Sequence, residues 1–198
     1  MGQRKTLTLL SLLLLPLFAA AQSEGELGVL LEPSFAAPKI AHPVNGAKST
    51  VLVPALNTKY GLDRYTEEEW NAQKLGWPDV FPKAMKLADS LAKKIEPRWV
   101  RDRRGVILYG VIEDRDPFVS SVIFSEALHE RMKSVLGKEF LALVPDRNII
   151  FLFPKFGGNL EDYSVSIVEQ YRRAPIKVSL EIFEISGNGC KVVGALGQ

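Results

Sequence analysis

Two polar islands in this sequence hold residue types able to do chemistry. Glu113-Asp114-Arg115-Asp116-Pro117 follows the apolar run Val106–Ile112. Pro145-Asp146-Arg147-Asn148 separates the apolar runs Leu141–Val144 and Ile149–Phe153. Paired carboxylates can act as general acid and base, and an Asp–Arg pair can position an anion. Asp114, Asp116 and Asp146 are therefore the candidate catalytic carboxylates, with Arg115 and Arg147 beside them. The idea has one geometric condition: the two islands must share one edge of a sheet. Otherwise they are ordinary turns whose charges keep strand ends soluble.

A third charged stretch, EPRWVRDRRG at 96–105, gathers Arg98, Arg101, Arg103 and Arg104 around Trp99. Guanidinium groups beside an indole could form an anion-binding patch with an aromatic platform. Glu96 and Asp102 partly neutralise it, so the competing reading is a solvated approach to the next strand. With Arg147, these are the candidate binding residues for a protein partner or an anionic surface ligand.

Other chemistries lack their residues. The chain has two His, His42 and His129, and one Cys, Cys190. A zinc site needs three or four ligands, and His129-Glu130 lacks the second His of a zincin helix. His129 sits beside Leu128 and Met132, which suits a satisfied, partly buried side chain. A Cys190–His129 nucleophilic pair lacks an electropositive setting for the thiol. No nucleophile elbow or P-loop occurs, and Gly157-Gly158-Asn159 reads as the start of a helix. Glu67, Glu68 and Glu69 are successive helical positions that point about 100° apart, so they cap rather than converge on a metal. No metal and no cofactor are expected.

The N-terminus reads as an address. Arg4 and Lys5 precede the apolar Thr6–Phe18, and Ala19-Ala20-Ala21 offers a small-residue cleavage site before Gln22. Residues 1–21 are thus expected to be a signal peptide, cleaved on export to a periplasmic or extracellular space, leaving no membrane span. The formal charge of the chain is +2. Arg4 and Lys5 account for that excess, so the mature protein is formally neutral and nucleic acid is not an expected partner. One cysteine cannot form an internal disulfide, so the fold must rest on its core. The thiol could still join two chains as a homodimer.

These charged stretches must be positioned by regular elements. Residues 22–48 carry Pro33, Pro38 and Pro43 and much Ala and Gly, which suggests a leader or linker that resists helix and ladder alike. A single domain is expected over 49–198, with a short strand near 50–53. Thr66 with Glu69 makes a capping box, and Tyr65 with Trp70 a hydrophobic staple, so a helix begins there and stops near Gly76. A second helix, about 79–95, has Phe81, Ala84, Met85, Ala88, Leu91, Ala92 and Ile95 on one face. Val106–Ile112 and Phe118–Phe124 read as a hairpin, then Ser125 caps a helix over 126–136 ended by Gly137. A second hairpin spans 140–153, with Pro145 and Asp146 in the middle of its turn. A helix over 160–173, capped by Asn159, follows. A last hairpin joins 176–182 to 190–196 through Ser186-Gly187-Asn188-Gly189. The expected class is α+β: a largely antiparallel sheet of hairpin–helix units with helices packed on it.

SEALHERMKSVLGKEFLALVPDRNIIFLFP, with RRAPIKVSLEIFEI after the next helix, resembles the C-terminal region of a bacterial family of unknown function, the YtpQ type. The resemblance lies in the order helix, strand, VP turn, strand, helix, xxP, strand, over roughly residues 106–185. It implies the same α+β class and no activity or site residues. The export signal departs from that family's usual pattern. The leading functional expectation is an exported, non-enzymatic binding or interaction module. A hydrolase-like enzyme using the loop carboxylates is the alternative. A structural envelope protein dimerising through a strand edge or Cys190 is a further one.

Overall fold

The computed structural model describes residues 25–157 and 160–197. The expected signal peptide and the Asn159 cap lie outside the described residues. The chain folds as α+β, with two antiparallel sheets rather than one. The first comprises β1 (Gly25–Pro33), β2 (His42–Pro43), β3 (Thr50–Thr58) and β4 (Gly61–Arg64). β3 pairs with β1 along its whole length, from Gly25↔Thr58 to Pro33↔Thr50, and with β2 and β4 on its other side. The second comprises β5 (Arg98–Arg101), β6 (Ile107–Glu113), β7 (Phe140–Asp146), β8 (Ile149–Pro154), β9 (Glu181–Ser186) and β10 (Gly189–Ala195). Its order is β10-β9-β7-β8-β6-β5.

Among the described residues, four α-helices accompany the sheets: α1 (Glu67–Ala72), α2 (Trp77–Ala92), α3 (Glu126–Leu136) and α4 (Leu160–Arg173). Local capping chemistry sets the starts of α1 and α3 as expected, whereas α2 begins at Trp77, ahead of the expected 79, without a side-chain cap. Thr66 Oγ1 accepts from the Glu69 N–H, Glu69 Oε2 accepts from the Thr66 N–H, and the Tyr65 and Trp70 rings meet edge-on at 6.0 Å. Ser125 Oγ accepts from the Leu128 N–H at 3.2 Å, and Gly137, at φ 100°, ends α3.

Residues 25–33 correct the leader expectation. They form an inner-layer strand in which Val29, Leu30 and Leu31 are fully buried, each contributing about 1.5–3 kcal/mol. The prolines do not oppose this, because they stand outside the strand interior. Pro33 is the last residue of β1, Pro38 lies in a loop, and Pro43 closes the two-residue β2. Pro54, in the middle of β3, is tolerated for a related reason. Its C=O accepts from the Tyr65 N–H at 3.1 Å, so its ring nitrogen faces that same side. There it falls between the start of β2, paired at Leu52, and the end of β4, paired at Ala55, where no ladder donor is required.

A second correction concerns Phe118–Phe124. This run is a buried 3-10 segment, Val119–Phe124, and not the return strand of a hairpin. Asp114 Oδ1 accepts from the Asp116 N–H and Asp116 Oδ1 from the Phe118 N–H, each at 2.8 Å. These two Asx turns swing the chain off the sheet, so β6 pairs with β5 and β8 instead. A short apolar run without alternation cannot distinguish these outcomes by period. Phe118 then lies over Gly28 of β1, so closely that a Cβ there would sit 2.5 Å from the ring.

The ladder of the last hairpin starts at Glu181, later than expected, and turns at the expected Ser186–Gly189. The second sheet is covered on both faces. Ala142, Val144, Ile150 and Leu152 join the main core with α2, α3 and β1, whereas Leu143 and Phe153 pack with Tyr109, Tyr163 and Ile167 under α4. Burial on both faces is why β7 and β8 are nearly continuous apolar runs.

A candidate anion-binding cleft

The turn between β7 and β8 is two residues long, Arg147 and Asn148, closed by the pair Asp146↔Ile149. Pro145 and Asp146, expected in the turn, belong to the strand. The segment after α4 extends that strand: Val178 N–H donates to the Pro145 C=O at 3.2 Å, Ser179 N–H to Val144, and Arg147 N–H to Ile176. These bonds carry the strand to Asp146 across the irregularity in its ladder with β8 between Leu143 and Asp146, and Asp146 Oδ1 accepts from the Asn148 N–H at 2.8 Å to bend the chain there.

The Asp114 loop stands beside this turn, so the geometric condition for a shared edge is met. Glu113 pairs with Ile149, Asp114 N–H donates to the Asn148 C=O at 3.1 Å, and Asn148 Nδ2 donates to the Asp114 C=O at 2.7 Å. An open cavity of about 750 Å³ borders Asp114, Arg115, Asp146 and Asn148. Of the three candidate carboxylates, Asp116 does not border it, and Asp146 is only 2% exposed. Each of Asp114, Asp116 and Asp146 spends an oxygen on the backbone N–H two residues ahead. Arg147 turns away from them altogether.

The arginine run is likewise drawn into local structure. β5 and β6 are joined by a turn built on Asp102, whose Oδ1 accepts from the Arg104 and Val106 N–H groups, both at 2.8 Å. The Val106 N–H is the main reason its carboxyl is held below the usual range, with Arg104 adding to it. Arg104 Nε pairs with Asp102 Oδ2 at 3.2 Å, and Arg101 donates to the Gly105 C=O at 2.9 Å. Trp99 is half-buried against the main core. One side of its ring lies on Gly110, where a Cβ would come within 2.6 Å, so that side offers no platform. Arg98 and Arg103 extend into solvent.

Of the six candidate binding residues, Arg147 borders an open polar cleft. Its Nη2 meets Glu32 Oε1 at 2.7 Å, and Arg64 Nη1 meets Glu32 Oε2 at 2.8 Å. Glu32, near the end of β1, is 3% exposed. Two guanidinium groups share one buried carboxylate, which leaves one positive charge uncompensated within the triad. The Nε of Arg147 is buried and has no hydrogen-bond partner. A buried donor left unpaired costs about 1–3 kcal/mol.

Arg64 and Arg147 line a cleft of about 840 Å³ between the loop after β1 and the segment from β4 into α1. Lys39 and Glu67 form an ion pair at 3.3 Å that joins these two walls. Asp63 and Glu68 also line it, as does Tyr65, whose phenol is pushed up by burial and then by the Glu69 carboxylate. Glu32 and Arg64 escaped the sequence reading. Glu32 sits before a proline in a stretch read as leader, and its partner Arg147 is 115 positions away.

The remaining candidates are structural. His129 is buried and stacks on Phe140 with ring centroids at 6.1 Å; its Nε2 bonds the Lys138 C=O and its Nδ1 faces Glu130. Cys190 is half-buried, and burial pushes its thiol up to about 12. Among the described residues no group of three or more His, Cys, Asp or Glu could hold a metal, and no helix is long and apolar enough to cross a membrane. No family model, no curated protein and no solved structure matches this chain.

Proposed function

We propose that the protein is an exported, non-enzymatic binding module that recognises an anionic group, with Arg64 and Arg147 as its binding pair. One observation carries the reading. Two arginines share a single buried carboxylate at an 840 Å³ cleft, and one of them keeps a buried, unpartnered Nε. Planar guanidinium groups with spare donors suit carboxylate or phosphate oxygens, and Glu32 holds both rotamers before any ligand arrives. The engagement of Asp114, Asp116 and Asp146 with backbone N–H groups supports binding over acid–base work at the neighbouring edge. Export rests on the basic, apolar and small-residue order of residues 4–21. Kinship with the YtpQ type is proposed with it, on the motif order quoted above.

Calorimetric titration of the purified protein with acetate and with inorganic phosphate, at fixed ionic strength, tests the site. Arg64→Gln removes a half-exposed partner and leaves the Arg147–Glu32 pair in place. A charge-assisted hydrogen bond is worth about 1.5–3 kcal/mol, so affinity should fall by roughly ten- to a hundredfold. Undiminished binding by this variant, or no binding of any anion by the wild type, would refute the assignment. A mature N-terminus at or near Gln22 in the exported fraction tests the localisation.

A further inference from the structure

The lining of the same cleft is bipolar. Its cations, Lys39, Arg64 and Arg147, are matched by the acids Asp63, Glu67 and Glu68. Arg64 and Arg147 are neutralised only in part by Glu32, and Lys39 is paired with Glu67. Asp63 and Glu68 are exposed and have no ion pair among the described residues. A small inorganic anion drawn to the arginines would sit in the field of those two carboxylates, which opposes it. A ligand carrying both signs satisfies both sides.

Size narrows the class. The cleft is open to solvent, and its roughly 840 Å³ exceeds what one carboxylate or phosphate requires. The apolar part of the lining is small or aliphatic: Leu30, Ala36, Ala37, Pro38 and Leu62. Tyr65 is the one aromatic residue of that lining and is itself buried, so the surface suits small side chains. We infer that the ligand is a short peptide with free termini. Its carboxylate engages Arg64 and Arg147, and its ammonium is neutralised by Asp63 and Glu68.

This inference rests on the anion-binding reading, and one titration series separates the two. The probes are trialanine, N-acetyl-trialanine, trialanine amide, alanine and inorganic phosphate, each titrated into the full chain. Trialanine is expected to bind best. Amidation should abolish binding, and N-acetylation should weaken it by about tenfold, the usual scale of one salt-bridged terminus. Asp63→Asn with Glu68→Gln changes two exposed side chains. It should remove the preference for the free amine, and N-acetyl-trialanine, freed from the opposing carboxylates, should bind at least as tightly as before.

Equal affinity for free and acetylated peptide would overturn the zwitterion inference and leave anion recognition standing. So would phosphate or alanine binding more tightly than trialanine. A double variant that keeps the full preference would also overturn it. Absence of binding by every probe would overturn both readings.

Discussion

Glu181 should be a fastening point between the two sheets, and its removal should be among the costliest changes in the protein. Its carboxylate is 4% exposed and lies on β9 of the second sheet. It reaches across to the start of β3 in the first. Oε1 accepts from the Lys48 N–H at 2.7 Å and the Ser49 N–H at 3.0 Å, and Oε2 accepts from the Thr50 hydroxyl at 2.5 Å. No Lys or Arg lies within ion-pair distance of it among the described residues, so these three donors replace its hydration.

In Glu181→Ala all three donors lose their acceptor. Thr50 is buried, and its orphaned hydroxyl costs about 1–3 kcal/mol. Lys48 and Ser49 are exposed, so water recovers part of their loss. Relief of the buried charge offsets some of the rest. The net expectation is about 2–4 kcal/mol. In a chain of this size that lowers the Tm by roughly 5–15 °C. Glu181→Gln keeps an amide oxygen for the two N–H groups, and its NH₂ can donate to the Thr50 hydroxyl, so about 1 kcal/mol should be lost. Urea unfolding followed by circular dichroism measures both. Equal midpoints for the Ala and Gln variants, or an Ala variant within about 0.5 kcal/mol of wild type, would show that the contact does not fasten the sheets.

Two further outcomes can be checked without a ligand. Gly28→Ala drives a methyl into the fully buried Phe118 ring, and overpacking of this kind costs about 1–3 kcal/mol, visible as a lower urea midpoint with an unchanged slope. Cys190, with its thiol raised from 9.0 to about 12 by burial, should react with iodoacetamide at pH 8 more slowly in the folded than in the unfolded chain. A folded-state pKa raised in this direction stabilises the native state below pH 9 and loses that contribution as pH rises from 9 to 12, so alkaline unfolding should expose the thiol. A disulfide-linked dimer forming readily at pH 8 would contradict this placement of Cys190.

Local signals carried much of the fold. The Thr66–Glu69 box, the Ser125 cap, Gly137 and the Ser186–Gly189 turn are all short-range, and each sits where its residues require. The apolar texture of 140–153 told of a strand pair buried on both faces before any partner was known. These features depend on neighbours within about four positions, or on a period, and both are written directly in the chain.

The errors arose where the deciding partner is distant. Residues 25–33 look irregular because prolines crowd the region, yet nine residues of β3 give them a complete ladder. Phe118–Phe124 looks like a strand because nothing local says that the Asp114 and Asp116 turns swing it off the sheet. The candidate site divides in the same way. Arg147 was legible as a charged residue on a turn. Its meaning came from Glu32 and Arg64, which lie on two strands of the other sheet. The arginine-rich run, far louder in the sequence, is spent largely on its own turn. Caps and periods are short-range and were therefore determined by the sequence alone. Burial of a lone carboxylate between two guanidiniums depends on which strands meet, and only the tertiary structure decides that.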